Sequence, residues 1–171
     1  VWRTLESLRL PSRPKIHVDA SQLPLVESFE LTRLGADTLS LDAQKVGAVR
    51  GIGVLIAPRH IPLAPVLEGG GQERGVRPGT ESPALAQAFA LALEEAHEGA
   101  AAFSLRAAGM RTRLLAQLEE GIEGVERNGG KAQAPHILNI SLMKRDTDYL
   151  ATLLDEAGFA VSTRSACATD S

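Results

Sequence analysis

The sequence of 171 residues contains one cysteine, and its aromatic residues amount to only 4%. A single cysteine excludes an internal disulfide framework and a zinc site built from several cysteines, and it favours a reducing compartment, which we expect to be the cytoplasm. Basic residues are in no excess, since the net charge is −3, so we expect no nucleic-acid partner. No apolar run approaches the length of a membrane span, so we expect no membrane association.

The composition is that of an ordinary globular chain with an aliphatic core. Apolar residues make up 44% of the sequence and charged residues 23%, which excludes intrinsic disorder and a coiled coil. The chain begins at Val1 without a methionine and ends soon after Cys167. We therefore expect it to be part of a longer protein.

Strand and helix signals alternate along the chain, as in α/β proteins. Strands are predicted at 16–20, 38–42 and 51–57, with a short helix or turn at 31–37. The segment 51–57 is almost entirely apolar, which is typical of a strand buried on both faces. Farther on, the patterns predict a strand at 137–142, a helix at 146–157 capped by Gly158, and a strand at 159–163.

The segment 58–83 is rich in glycine and proline, and a loop of that length inside a domain is commonly functional or disordered. Ser82 followed by Pro83 predicts a helix start. Apolar residues at helical spacing on both sides of Gly99 then predict one long or kinked helix. We place the boundary between two lobes near Gly99, which divides the chain into 1–98 and 99–171.

Several polar residues follow predicted strands, where ligands of open α/β sheets gather. Asp19 and Gln22 follow the first strand, although a lone aspartate there is more often a cap or turn former. Lys45 follows the second strand, and a loop lysine is normally a solvated charge. In a partly desolvated site, however, a lysine loses its proton more readily and forms Schiff bases.

The loop from Gly69 to Thr80 has no Gly-Lys-Ser/Thr sequence and is therefore not a Walker loop. Its glycines allow a backbone to approach a ligand closely, and Thr80 offers a hydroxyl beside a helix start. A flexible connector is the equally good alternative. Cys167 lies among small polar residues, three positions after Arg164, and a cation near a cysteine favours its thiolate form. Lone cysteines, however, are usually buried apolar residues. The four histidines show no metal-ligand spacing, so no metal site is expected.

Taken in order, six segments resemble the cysteine desulfurases, pyridoxal 5'-phosphate (PLP) enzymes of the class V aminotransferase family with fold type I. The segments are His17-Val18-Asp19-Ala20-Ser21-Gln22, Gln44-Lys45, Gly51-Ile52-Gly53, Gly69 to Thr80, Ile137-Leu138-Asn139 and Ser165-Ala166-Cys167. The resemblance implies an α/β fold: 1–98 belong to the PLP-binding large domain with its mainly parallel sheet, and 99–171 to a truncated small α+β domain.

The resemblance also implies a role for each matching residue. Lys45 carries the Schiff base with PLP and moves protons, and Asp19 pairs with the pyridinium nitrogen, which keeps the ring an electron sink. Gln22 donates to the phenolate oxygen, and Thr80 reaches the phosphate of the cofactor in the partner subunit of a homodimer. Cys167 is the thiolate that takes the sulfur of L-cysteine as a persulfide and passes it to an acceptor protein for iron–sulfur cluster assembly or tRNA thiolation.

Two positions depart from the family pattern near the cofactor phosphate. Gln44 stands where a histidine is usual, and it still donates a hydrogen bond. Asp42 stands where a small hydroxyl or amide is usual, and an ionised carboxylate repels phosphate. These departures leave open a non-catalytic scaffold that keeps the fold. A second alternative is another class V enzyme, such as a selenocysteine lyase.

The family's ring-stacking histidine, its main phosphate-binding turn and the arginine that holds the substrate carboxylate have no counterpart in this sequence. We therefore expect these 171 residues to be inactive on their own.

Overall fold

The computed structural model describes residues 13–163, and Arg164 and Cys167 lie outside this part. Eight helices and strands follow one another in the described residues: β1 (His17–Asp19), α1 (Leu31–Leu34), β2 (Thr38–Asp42), β3 (Gly53–Ile56), α2 (Pro83–Gly121), β4 (Val125–Arg127), β5 (Ile140–Leu142) and α3 (Thr147–Glu156). Short 3-10 turns lie at Leu23–Leu25, Ala43–Val46 and Glu73–Gly75. No helix within residues 13–163 is long and apolar enough to span a bilayer.

The first three strands form one sheet in the order β1-β2-β3. β1 and β2 are parallel, with Asp19 opposite Ser40, whereas β3 runs antiparallel to β2, with Val54 opposite Leu41. The strand predicted at 38–42 matches β2. Since β1 and β2 run in the same direction, their carboxyl ends lie at the same edge of the sheet.

Alternation along β2 separates a buried face of the sheet from a polar one. Leu39 and Leu41 are buried, and they pack in a core with Ala43, Val46 and, from α2, Phe89. Successive strand residues point to opposite faces, so the other face of β2 carries three polar residues: Thr38, Ser40 and Asp42. The aliphatic core therefore supports a sheet whose second face is free for polar chemistry.

Asp37, directly before β2, links the beginnings of β1 and β2 through hydrogen bonds of its carboxylate. Its buried carboxylate accepts hydrogen bonds from Ile16 N at 2.8 Å and from Arg13 Nη1 at 2.6 Å. Lys15 Nζ lies 3.7 Å away. The backbone hydrogen bond from Ile16 and the contact with Arg13 lower the pKa of Asp37, so the carboxylate is held in its charged form.

The expectation that the third strand is buried on both faces is wrong for this structure. Val54 and Leu55 are 39% and 48% exposed, and neighbouring residues of a strand point to opposite faces. Neither face of β3 is therefore fully covered. The physical reason is its place in the sheet, since within residues 13–163 β3 pairs only with β2 and forms an edge.

The helix predicted across Gly99 is one continuous helix, α2, of 39 residues. It begins at Pro83 as the sequence predicts, and Ser82 Oγ accepts a long hydrogen bond from Leu85 N at 3.5 Å. The chain divides into two compact units, Val1–Arg106 and Ala107–Ser171. The boundary between these units lies within α2, several residues beyond Gly99.

The second unit contains an antiparallel pair, β4 and β5, followed by α3. Asp146 caps α3, because its Oδ1 accepts hydrogen bonds from Asp148 N and Tyr149 N, each at 3.1 Å. β4 was not predicted, since three residues are too few to show alternation. The strand predicted at 159–163 is wrong: Phe159 N donates to Leu154 O at 2.8 Å, so the chain turns back on α3 there.

Candidate functional site

The carboxyl edge of β1 and β2 carries five of the residues that the sequence singled out. Asp19 is the last residue of β1, and Gln22 follows it directly before the 3-10 turn Leu23–Leu25. Asp42 is the last residue of β2, and Gln44 and Lys45 lie in the turn that follows. Backbone bonds join the two strand ends, since Ala20 N donates to Ser40 O at 2.9 Å. Ligands of open α/β sheets bind at this kind of edge.

Ser21 holds the Asp19 carboxylate in a turn of its own. Asp19 Oδ1 accepts hydrogen bonds from Ser21 Oγ at 2.6 Å and from Ser21 N at 3.0 Å. These two bonds, with a smaller effect of the nearby His17, lower the pKa of Asp19. Since both bonds are made by Oδ1, the second oxygen, Oδ2, is left for another donor. The result is an exposed, ionised carboxylate of fixed orientation at the sheet edge.

The polar face beside Asp19 contains a hydrogen-bonded group that sequence reasoning missed. His17 Nδ1 lies 2.9 Å from Thr38 Oγ1, and His17 Nε2 lies 3.3 Å from Ser40 Oγ. The sequence predicted no metal-ligand role for this histidine and indicated no other function. Its spacing of two residues from Asp19 was the available signal, because residues i and i+2 of a strand share a face.

The turn that carries Lys45 is built by its own sequence. Ala43 and Val46 are buried, whereas Gln44 and Lys45 between them are exposed. Asp42 Oδ1 accepts a hydrogen bond from Gln44 N at 3.0 Å and so caps the turn. Gly47, at φ 86°, ends it in a left-handed conformation that glycine adopts without a steric penalty. The turn is therefore fixed by its two buried residues, by its cap and by its final glycine, and it exposes the lysine to solvent.

Internal hydrogen bonds give the glycine-rich loop a defined conformation. Glu81 Oε1 accepts a hydrogen bond from Glu73 N at 3.1 Å, and Gln72 Oε1 accepts one from Gly79 N at 3.3 Å. A Cβ atom at Gly69 would lie 2.7 Å from Pro78 Cβ, so this close approach requires glycine. The loop therefore has a defined path up to the start of α2.

Thr80 lies at the end of that loop, exposed and shortly before α2. In the described part of the chain, no hydrogen bond or ion pair joins Thr80 to the strand-end residues. The remaining predicted site residue, Cys167, lies outside the described residues.

Comparisons with known proteins agree with the fold. Residues 11–171 match the family described as Aminotransferase class-V. Curated relatives named cysteine desulfurase IscS include one from Clostridium botulinum strain Hall, 32% identical over 158 residues, and one from Pseudomonas aeruginosa PAO1, 35% identical over 159 residues. These alignments cover 91% and 88% of this chain, but only 40% and 37% of the relatives.

Solved structures give the same result. A NifS-like protein matches with a TM-score of 0.79 at 30% identity, covering 89% of this chain and 41% of its own. DndA from Streptomyces lividans matches with a TM-score of 0.71 at 33% identity, covering 91% of this chain and 45% of its own. The expected fold class and the resemblance to cysteine desulfurases are confirmed.

The alignments cover nearly all of this chain but less than half of each relative. It spans about two fifths of the length of the curated relatives named above, whereas the family match covers nearly all of its own residues. On this evidence the chain belongs to the class V aminotransferase family.

Proposed function

We propose that this chain is part of a PLP-dependent cysteine desulfurase, which removes sulfur from L-cysteine and yields L-alanine and a persulfide on Cys167. The observation that carries the proposal is the juxtaposition of two strand ends. Asp19 ends β1 and Lys45 lies in the turn that follows β2, and the parallel pairing puts both at one edge of the sheet. A carboxylate and an amine at such an edge are the groups that a pyridine aldehyde phosphate requires.

The residues at this edge suit PLP in their chemistry. Asp19 is ionised and has Oδ2 available, so it can accept a hydrogen bond from the pyridinium N–H and stabilise the protonated ring. Gln22 is exposed at the start of the 3-10 turn, and its amide is the donor proposed for the phenolate oxygen. When bound, PLP supplies an electron sink that weakens the bonds at the substrate's α-carbon.

Lys45 would hold the cofactor through Nζ and would move a proton at the substrate. Its turn presents it to solvent without an ion pair to another described residue, so the amine is free to react. Gln44, beside it, would donate to the phosphate. Thr80 would offer its hydroxyl to the phosphate of the cofactor held by the partner subunit of a homodimer.

Cys167 would accept the sulfur. Its thiolate attacks the sulfur of bound cysteine, so that an S–S bond forms while the C–S bond breaks and its electron pair passes to the substrate fragment. Arg164, three positions earlier in the sequence, would favour the thiolate form. The persulfide then passes to an acceptor protein that serves iron–sulfur cluster assembly or tRNA thiolation, in the cytoplasm.

In this proposal residues 1–98 belong to the PLP-binding large domain and 99–171 to the small domain. The rest of the active site comes from sequence beyond these 171 residues, in keeping with the two-fifths coverage of the relatives. The chain alone is then inactive.

Asp42 favours a second candidate, a non-catalytic scaffold that keeps the fold. Its carboxylate occupies a position that is expected to lie near the cofactor phosphate, and like charges repel. Yet Asp42 Oδ1 accepts the Gln44 backbone hydrogen bond, so the carboxylate has a structural reason to be there. The selenocysteine lyase alternative shares most of these residues and differs in the need for Cys167.

The test uses the complete gene product that contains this chain. We expect a yellow protein on addition of PLP, and borohydride should fix the cofactor on Lys45, as peptide mapping would show. Lys45→Ala should abolish the label, whereas the exposed Lys131→Ala should keep it. A label on another lysine, or a protein that never binds PLP, refutes the enzyme and leaves the scaffold.

Cys167→Ser separates the two enzyme candidates. The desulfurase proposal predicts a variant that keeps its PLP absorbance and its unfolding temperature but releases no sulfur from cysteine. A well-folded variant with full sulfur release would rule out the carrier role and favour the selenocysteine lyase.

A further inference from the structure

A pocket of about 530 Å³ opens in the first unit beside the segment that follows β3. Its lining comes from two stretches of chain, one around Arg59 and Ile61 and one around Arg74 and Val76. Pockets that bind small molecules in proteins typically measure about 300–1,000 Å³. The volume is therefore sufficient for a small organic ligand.

Two guanidinium groups supply the charge of this pocket. Arg59 and Arg74 are exposed and both line it, and no acidic residue is among the lining residues. Within residues 13–163, neither arginine forms an ion pair or a side-chain hydrogen bond. Their donors are therefore free for a ligand. Guanidinium binds carboxylates through two parallel hydrogen bonds, which gives both affinity and orientation.

Arg74 is held at the pocket by an uncommon backbone conformation. Its φ and ψ are 60° and 31°, and the preceding Glu73 also has a positive φ of 48°. Hydrogen bonds from Gly75 N to Gly71 O and Gln72 O, at 3.1 and 2.9 Å, fix this turn. The direction in which Arg74 leaves the backbone is therefore set by the loop.

The rest of the wall is aliphatic. Ile61 is only 9% exposed, Val76 is half-buried, and Leu63 is 42% exposed. Covering these side chains removes apolar surface from water, which favours a ligand with an aliphatic body. An inorganic anion would pair with the two arginines but would leave these apolar side chains exposed to water.

We propose that this pocket binds a carboxylate attached to a short branched aliphatic group, with the carboxylate on Arg59 and Arg74 and the aliphatic group on Ile61, Leu63 and Val76. The proposal does not depend on the proposed desulfurase activity. The same chemistry occurs in a free short-chain acid and at the carboxyl terminus of a peptide that ends in leucine.

The binding test is calorimetric titration of the complete gene product, without PLP, using isovalerate. Isovaleramide, which has the same aliphatic body without charge, and acetate, which has the charge without the body, are the matched probes. We expect saturable binding of isovalerate, and at least tenfold weaker binding of the other two. Absence of isovalerate binding, or equal binding of acetate, overturns the proposal.

Variants locate the site. Arg59→Gln and Arg74→Asn should each weaken isovalerate binding about tenfold; asparagine suits position 74 because it tolerates a positive φ. Arg50→Gln, an exposed arginine outside the lining, should have no effect. Circular dichroism and thermal unfolding of each variant check folding. Unchanged binding in both pocket variants, with folding intact, refutes the assignment.

A peptide with a free leucine carboxyl terminus, compared with isovalerate, identifies the source of the carboxylate. Tighter binding of the peptide assigns the pocket to a chain terminus, and weaker binding assigns it to a free acid. In either case, loss of this binding in the Arg59→Gln variant supports the proposed ligand chemistry.

Discussion

Asp42 Oδ1 accepts a hydrogen bond from Gln44 N at 3.0 Å, and this bond caps the turn that presents Lys45. The last residue of β2 therefore shapes the segment that carries the proposed Schiff-base lysine. The carboxylate that looks unfavourable for a phosphate in the sequence is, in the structure, a capping group.

Replacing Asp42 tests these two effects separately. Asp42→Ala removes the cap, and we expect a loss of about 1 kcal/mol in the free energy of unfolding, measured by urea denaturation. Asp42→Asn keeps an oxygen acceptor without the charge, so stability should be nearly unchanged while PLP binds more tightly. If Asp42→Asn is as unstable as Asp42→Ala, the cap is not what the carboxylate provides.

Asp37 makes the stability of the first unit depend on pH. Hydrogen bonds from Ile16 and Arg13 lower its pKa in the folded state, so the unfolded state binds its proton more readily. The resulting stability is present above the unfolded pKa, about 3.9, and is lost as the pH falls through the lower folded value. We therefore expect urea midpoints to fall on acidification below about pH 4, with a smaller decrease for Asp37→Asn.

Asp155→Asn, at an exposed residue of α3, is the matched control for this pH series. It should follow the parent chain at every pH. An Asp37→Asn protein whose midpoint falls as steeply as that of the parent would show that other carboxylates cause the acid sensitivity.

The glycine-rich loop provides a steric test with its own control. Gly69→Ala places a Cβ atom 2.7 Å from Pro78 Cβ, whereas nothing lies within 4 Å of a Cβ at Gly71. Overpacking of this kind typically costs about 1–3 kcal/mol. We expect faster proteolytic cleavage of the loop in Gly69→Ala and no change in Gly71→Ala. Equal cleavage of the two variants would mean that the close approach does not hold the loop.

The edge strand β3 predicts the behaviour of the 171 residues on their own. Its outer edge is unpaired within the described residues, and Leu55 is 48% exposed; such edges promote association. We expect self-association in sedimentation experiments, and no desulfurase turnover. Leu55→Lys should reduce association, while Leu91→Lys, at an exposed leucine of α2, should have less effect. A monomeric 171-residue chain with measurable turnover would contradict this expectation.

Local signals in the sequence were sufficient wherever a short segment determines its own structure. β2 follows from the alternation of Thr38–Asp42, and the start of α2 follows from Ser82 and Pro83. Asp19, Gln22 and Lys45 were predicted as site residues because strand ends in α/β sheets carry ligands, together with a family resemblance. In each case the relevant partners lie within a few residues in the sequence.

Contacts between distant segments were decided by the tertiary structure. The sequence could not show that β3 pairs antiparallel at an edge of the sheet, because the same apolar segment can form a buried strand or an exposed one. Nor could the sequence show that Asp37 connects the starts of β1 and β2, or that His17 of β1 contacts both Thr38 and Ser40 of β2. Those bonds depend on the register between strands, which is set only when the sheet forms around its shared core.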